Sequence, residues 1–165
     1  MDVQKRASCH EAGHMAVALH FIRKVNSAGL LEGRAKVDCP LEPPGPDISR
    51  ECFVFLSGGV AGELLCDPQT PFDTGGAQID QQMITERGGE QIDTYLEEAL
   101  AILRSHHKAW AALQFEFLKQ LRIAQAQSTV SSSVGGGQSR TKTLLTGDQI
   151  KRIWDGNQTQ QPPAV

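Results

Sequence analysis

Residues 6–19 read RASCHEAGHMAVAL and place two histidines, His10 and His14, four positions apart with Glu11 between them. The surrounding residues favour a helix, and no proline interrupts them. Because residues four apart lie on the same helical face, both imidazoles can reach one point. Two histidines bind a zinc ion with this spacing, beside a glutamate that acts as general base. The stretch therefore predicts a zinc site on a helix over residues 3–23.

Length and composition indicate a globular protein of one domain. The chain has 165 residues, enough to bury a sizeable core, and its formal net charge is −3. No basic surplus points to nucleic acid. The N-terminus lacks the apolar core of a secretory signal, and no run approaches the roughly 18 apolar residues of a membrane span. We therefore expect a cytoplasmic protein that binds no nucleic acid and has no membrane span.

The four cysteines are scattered along the chain and form no Cys-x-x-Cys pair. This spacing is not that of a zinc ribbon or of a dithiol redox motif. A buried free thiol is the expected state of all four, namely Cys9, Cys39, Cys52 and Cys66.

The rest of the chain up to residue 127 is predicted to be mostly helical. Two glycines and a partial alternation over 25–39 predict a strand–turn–strand, and an exposed edge of such a strand can hold an extended peptide. Helices are expected at 48–66 and from residue 77. Two apolar stripes within 90–127 predict two further helices with a bend at 105–107.

The C-terminal part contains a low-complexity segment followed by a helix signal. Thr146 and Gln149 have the spacing of a capping box, which predicts a helix over 147–154. We therefore divide the chain into a peptidase core (1–126), a flexible Ser- and Gly-rich loop (127–143), a C-terminal helix of the same domain (144–155) and a disordered tail (156–165).

The residues alone leave two candidates for a third zinc ligand. Glu63 lies on the predicted second helix, where one large class of zinc peptidases carries its third ligand. Asp80 lies in the first turn of the next predicted helix, which can pack against the zinc helix. The pair Gly58-Gly59 on the second helix predicts a close backbone approach to a neighbouring element.

Three segments in this order resemble the peptidase domain of FtsH-type ATP-dependent zinc metalloproteases. HEAGH at 10–14, LSGGVAGEL at 56–64 and TGGAQID at 74–80 are similar to that family's HEAGH, LGGRAAEEL and TTGAxND. The family's closing pattern of two helices, a Leu-Thr/Asp-Gly segment and a last helix is similar to residues 99–154. The resemblance implies a mainly α, zincin-like helical fold with a small β-hairpin or short sheet.

By position, the resemblance also implies a site and an activity. It makes His10, His14 and Asp80 the zinc ligands and Glu11 the general base, and it gives Glu63 a structural role. The implied activity is that of a metalloendopeptidase that cleaves unfolded or short polypeptides, in a family that assembles as hexamers.

The chain also departs from the family's pattern. Val60 replaces an arginine and Ile79 replaces an asparagine. No phosphate-loop sequence occurs, so we expect the chain to depend on a separate AAA+ ATPase for folded substrates. The alternative hypothesis is a catalytically weak or inactive module that binds or regulates such a protease.

Overall fold

The computed structural model describes residues 1–40, 50–69, 76–87, 91–131 and 141–158. Their architecture is mainly helical with a small three-stranded antiparallel sheet. This confirms the predicted mainly α class with a small sheet. In chain order the elements are α1 (Val3–His20), β1 (Ser27–Leu31), β2 (Arg34–Asp38), α2 (Arg50–Cys66), α3 (Gly76–Glu86), α4 (Ile92–Ser105), α5 (His107–Ser131), β3 (Thr141–Thr146) and α6 (Gly147–Gly156).

Helix α1 is the central element of the domain. All of residues 8–18 are buried, and the helix contacts α2, α4, α5, α6 and strand β2. Asp2 caps its start, because the side chain accepts a hydrogen bond from the Lys5 backbone N–H at 2.7 Å. The helix ends at His20, three residues before the predicted end, and Ile22 then adopts a left-handed φ of 57°. Both predicted zinc ligands of α1 are therefore held inside the core.

Helices α1 and α2 cross at very short distance, as the glycine pair predicted. A Cβ atom on Gly13 would lie 1.9 Å from the Gly58 carbonyl oxygen, and one on Gly62 would lie 2.1 Å from the Cys9 carbonyl oxygen. Only glycine fits at these positions, because any side chain would overlap the backbone of the facing helix. This contact fixes α2 directly against the helix that carries the histidines.

The strand–turn–strand prediction is confirmed by β1 and β2, which form an antiparallel hairpin with a two-residue turn at Glu32 and Gly33. The sheet order is β2-β1-β3, so β1 is central. Residues 141–143 of the predicted loop and residues 144–146 of the predicted C-terminal helix segment belong to β3, so the prediction was wrong for both stretches. The pairing partner of β3 is β1, more than 100 residues away, which no local pattern indicates.

Two of the four cysteines are not free thiols. Cys9 and Cys66 form a disulfide that joins α1 to the last residue of α2, so the prediction for this pair was wrong. The two cysteines are 57 residues apart, so no local sequence pattern indicates that they pair. The close crossing of α1 and α2 brings them together. Cys39 and Cys52 remain thiols, as predicted, although only Cys52 is buried.

The helical C-terminal half follows the predictions closely. The bend between α4 and α5 lies at His106, and the capping box of α6 is formed by Thr146 and Gln149. Helix α5 extends to Ser131, further than expected, while 132–140 of the predicted loop and 159–165 of the predicted tail lie outside the described residues. Among the described residues, no helix combines the length and apolar character needed to cross a membrane.

Candidate metal centre

Three buried side chains from two helices meet at one point. His10 Nε2 lies 3.0 Å from His14 Nε2, and Asp80 Oδ2 lies 3.1 Å from the first nitrogen and 3.2 Å from the second. Ligands held tetrahedrally at about 2.0–2.1 Å from zinc are about 3.3–3.4 Å from one another. The three atoms therefore have nearly the spacing that a single metal ion requires, and this group could hold one.

The local sequence explains how His10 reaches this point. His10 and His14 are one turn apart on α1, and Asp80 is in the second turn of α3. The His10 ring lies between two glycines: a Cβ on Gly59 would be 2.4 Å from its Cε1 atom, and one on Gly76 would be 2.8 Å away. Alanine at either position would displace the ring, so both glycines are needed for this rotamer.

Each histidine is oriented through its other ring nitrogen. His10 Nδ1 is 2.8 Å from Glu63 Oε1, and His14 Nδ1 is 2.8 Å from the Phe55 carbonyl oxygen. Because a carboxylate and a carbonyl accept hydrogen bonds, each Nδ1 carries a proton and donates it. In the neutral ring this leaves the Nε2 lone pair facing Asp80, which is how ligating histidines are held in metal sites.

Glu63 contacts the ring nitrogen of His10 that points away from Asp80, so its oxygens are not among the three converging atoms. Its Oε1 accepts from His10, while its Oε2 accepts from Arg6 Nε at 2.6 Å. Glu63 is therefore bound on both oxygens and is 3% exposed. The structure thus separates the two candidates that the sequence left open: Asp80 faces the histidine Nε2 atoms, and Glu63 faces the opposite nitrogen of His10.

The electrostatics of the site favour a positive charge at its centre. Burial opposes a charge on His10, but the neighbouring carboxylates of Asp80, Glu63 and Glu11 raise its pKa to about 10. Burial likewise opposes ionisation of Asp80, but the charge and contacts of His14 and His10 lower its pKa to about 2. Without a metal ion, a proton on His10 supplies the cationic charge that the ionised Asp80 requires.

Asp80 Oδ2 gives a second indication that this group suits a cation. Two ring nitrogens lie within 3.2 Å of this buried oxygen, but neither is aligned to donate a hydrogen bond to it. A buried ionised oxygen that lacks a well-aligned donor is costly inside a protein. A metal ion bound between the two imidazoles and this oxygen would satisfy it.

Glu11 lies beside this group and is 6% exposed. Burial raises the pKa of its carboxyl, partly offset by the positive charges of His10 and His14. The backbone N–H of Val37 donates a hydrogen bond to the carboxylate, so strand β2 runs along this side of the site. A buried carboxylate that a backbone N–H holds in place beside the candidate metal centre is positioned to accept a proton.

Sequence reasoning missed three contributors to the site: Arg6, the Phe55 carbonyl and the Val37 N–H. Arg6 is one turn before His10, so helical spacing could have placed it on the same face. The other two act through the backbone and across long sequence separations, and no local pattern identifies them.

No protein-family model, curated protein or solved structure matches this chain.

Proposed function

We propose that this chain is a zinc-dependent metalloendopeptidase that hydrolyses unfolded or short polypeptides. The observation that carries the proposal is the convergence of three buried ligand atoms, His10 Nε2, His14 Nε2 and Asp80 Oδ2, which lie within 3.2 Å of one another. Two imidazoles and one carboxylate leave a tetrahedral ion one open position, and this set is typical of catalytic zinc. The FtsH-like order of the three motifs supports the same activity and the zincin-like fold.

The residues of the chain have distinct roles in this mechanism. His10, His14 and Asp80 would hold the zinc ion, which when bound activates water and polarises a peptide carbonyl. Glu11 accepts a proton from the attacking water and later delivers it to the leaving amine. The raised pKa of Glu11 and its hydrogen bond from Val37 suit both roles, because they keep a basic carboxylate in a fixed position.

The position of β2 supports a polypeptide substrate. Strand β2 is at one edge of the sheet. A two-residue turn makes Leu31 and Arg34 a hydrogen-bonded pair, so the backbone groups of Ala35 and Val37 point away from β1. The bond from Val37 to Glu11 agrees with this direction. An extended chain that pairs with this edge would pass the general base.

Cleavage of a labelled, unfolded polypeptide by the zinc-loaded protein tests the proposal. Glu11→Gln should retain zinc and lose at least ~100-fold in kcat, since general acid–base catalysis contributes about 10²–10⁴-fold. Glu97→Gln, a substitution of the same kind at an exposed position on α4, should cleave like the wild type. Wild-type activity in Glu11→Gln would contradict the mechanism.

The alternative function remains a binding or regulatory module. A wild-type protein that holds zinc but cleaves no unfolded substrate would favour that module. The resemblance further implies a hexamer, which a measurement of molecular mass in solution tests. It also implies that a separate AAA+ ATPase delivers folded substrates, which cleavage of a folded substrate with and without such an ATPase tests.

A further inference from the structure

The Cys9–Cys66 disulfide lies directly beside the candidate metal centre. Cys9 precedes His10 in the chain, and Cys66 follows Glu63 by one helical turn. We propose that this disulfide is a positioning device, which holds Glu63 against His10 and so sets the affinity of the centre for metal. Its reduction then weakens metal binding. The inference rests on the proposed metal centre, but it does not depend on peptidase activity.

One face of α2 provides the link between the disulfide and the ligand. Gly59, Gly62, Glu63 and Cys66 are spaced so that all four lie on the side of α2 that faces α1. Gly59 adjoins the His10 ring, Gly62 adjoins the Cys9 backbone, and Glu63 accepts from His10 Nδ1 at 2.8 Å. On this face the disulfide is the covalent link between the two helices, because it joins the last residue of α2 to Cys9 on α1.

The two cysteine residues differ in their exposure to solvent. Cys9 is 0% exposed, whereas Cys66 at the end of α2 is partly exposed. A small thiolate from solvent attacks Cys66 Sγ, forms a mixed disulfide and expels Cys9 as a thiolate, which takes up a proton. A second small thiol then releases Cys66 as a thiol and leaves as the oxidised small-molecule disulfide. Two electrons pass from the small thiols to the protein disulfide.

Reduction has a structural consequence at His10. Two thiols need more room than a disulfide, and Cys9 is fully buried where the backbones of α1 and α2 already touch. The last turn of α2 therefore moves, and Glu63 moves with it. Loss of the outer hydrogen-bond partner of a ligating histidine typically lowers metal affinity 10–100-fold. We expect reduction of Cys9–Cys66 to lower affinity by roughly 10-fold, since Arg6 still restrains Glu63.

Metal affinity of the oxidised and reduced full chain tests the proposal, with Co²⁺ as a spectroscopic probe and Zn²⁺ in competition. The reduced sample is prepared with a non-chelating phosphine and then reoxidised, so that recovery shows reversibility. Cys9→Ala/Cys66→Ala, which cannot form the disulfide, should lose the redox response and bind metal with the same affinity under oxidising and reducing conditions. Cys39→Ser, which changes a free thiol, should retain the full redox response.

The outcomes separate the two proposals. An affinity that falls about 10-fold on reduction and recovers on reoxidation supports the positioning role. Equal affinity in the two redox states of a folded wild-type protein overturns that role and leaves the metal centre intact. Absence of metal binding in both states overturns the metal centre and the positioning role together. Circular dichroism of each sample confirms that the protein is folded.

Discussion

Replacement of Gly13 by alanine tests whether the helix crossing holds the site together. Gly13 is inside the HEAGH sequence, and its added Cβ would lie 1.9 Å from the Gly58 carbonyl oxygen. Carbon and oxygen atoms of facing backbones normally stay about 3.3–3.6 Å apart. The two helices must therefore separate locally by about 1.4–1.7 Å, or the variant cannot fold with this crossing.

Two opposing effects set the size of the loss in stability. Alanine favours a helix over glycine by about 1 kcal/mol. Overpacking of a rigid core typically costs about 1–3 kcal/mol, and a backbone obstacle belongs at the upper end of that range. We therefore expect Gly13→Ala to lower the free energy of unfolding by about 2 kcal/mol, or the melting temperature by about 4–8 °C.

Urea unfolding followed by circular dichroism measures this change. Gly156→Ala is the matched control, because a Cβ at that position meets nothing within 4 Å. Metal affinity should also fall in Gly13→Ala, since separation of the helices moves Glu63 and the Phe55 carbonyl away from the two histidines. A Gly13→Ala protein as stable as the wild type would refute the close crossing and the argument built on it.

Two further substitutions test single side chains. Glu63→Gln keeps the shape of the side chain but removes the negative charge between Arg6 and His10. Competition with a chelator should therefore show roughly 10-fold weaker metal binding. Unchanged affinity would exclude a role of Glu63 in orienting His10. His20→Gln tests a pH effect, because burial and the charge of His106 lower the pKa of His20 in the folded protein. The unfolded chain then binds the proton more readily, so stability falls as pH drops below about 6.5. Urea unfolding at pH 7.5 and 5.5 should show a smaller loss in His20→Gln than in the wild type, and an equal loss would contradict this cause. Glu98 also faces His20 and acts in the opposite direction.

The sequence predicted those parts of the structure that depend on local spacing. The common face of His10 and His14 follows from the helical repeat, and the capping box at Thr146 follows from a three-residue signature. The glycine pair correctly indicated a close backbone approach, and the facing residue on α1 is Gly13.

Features that join distant segments could not be predicted in this way. Residue spacing could not decide between Glu63 and Asp80, because each is on a different helix from the histidines and only the packing shows which one faces their Nε2 atoms. The Cys9–Cys66 pair and strand β3 were missed for the same reason: their partners are 57 and more than 100 residues away. Long-range pairing is set by the whole fold, and no short window of sequence contains it.

The zinc content of the purified protein, measured for the wild type and for Asp80→Ala, shows whether His10, His14 and Asp80 bind a metal ion. Asp93→Ala, which removes an exposed carboxylate at the start of α4, is the control. We expect about one zinc ion per chain in the wild type and in the control, and a sharp loss in Asp80→Ala, because a tetrahedral site needs its third protein ligand. A wild-type protein that takes up no zinc even after incubation with the metal, or an Asp80→Ala variant that retains it fully, would contradict the proposed metal centre.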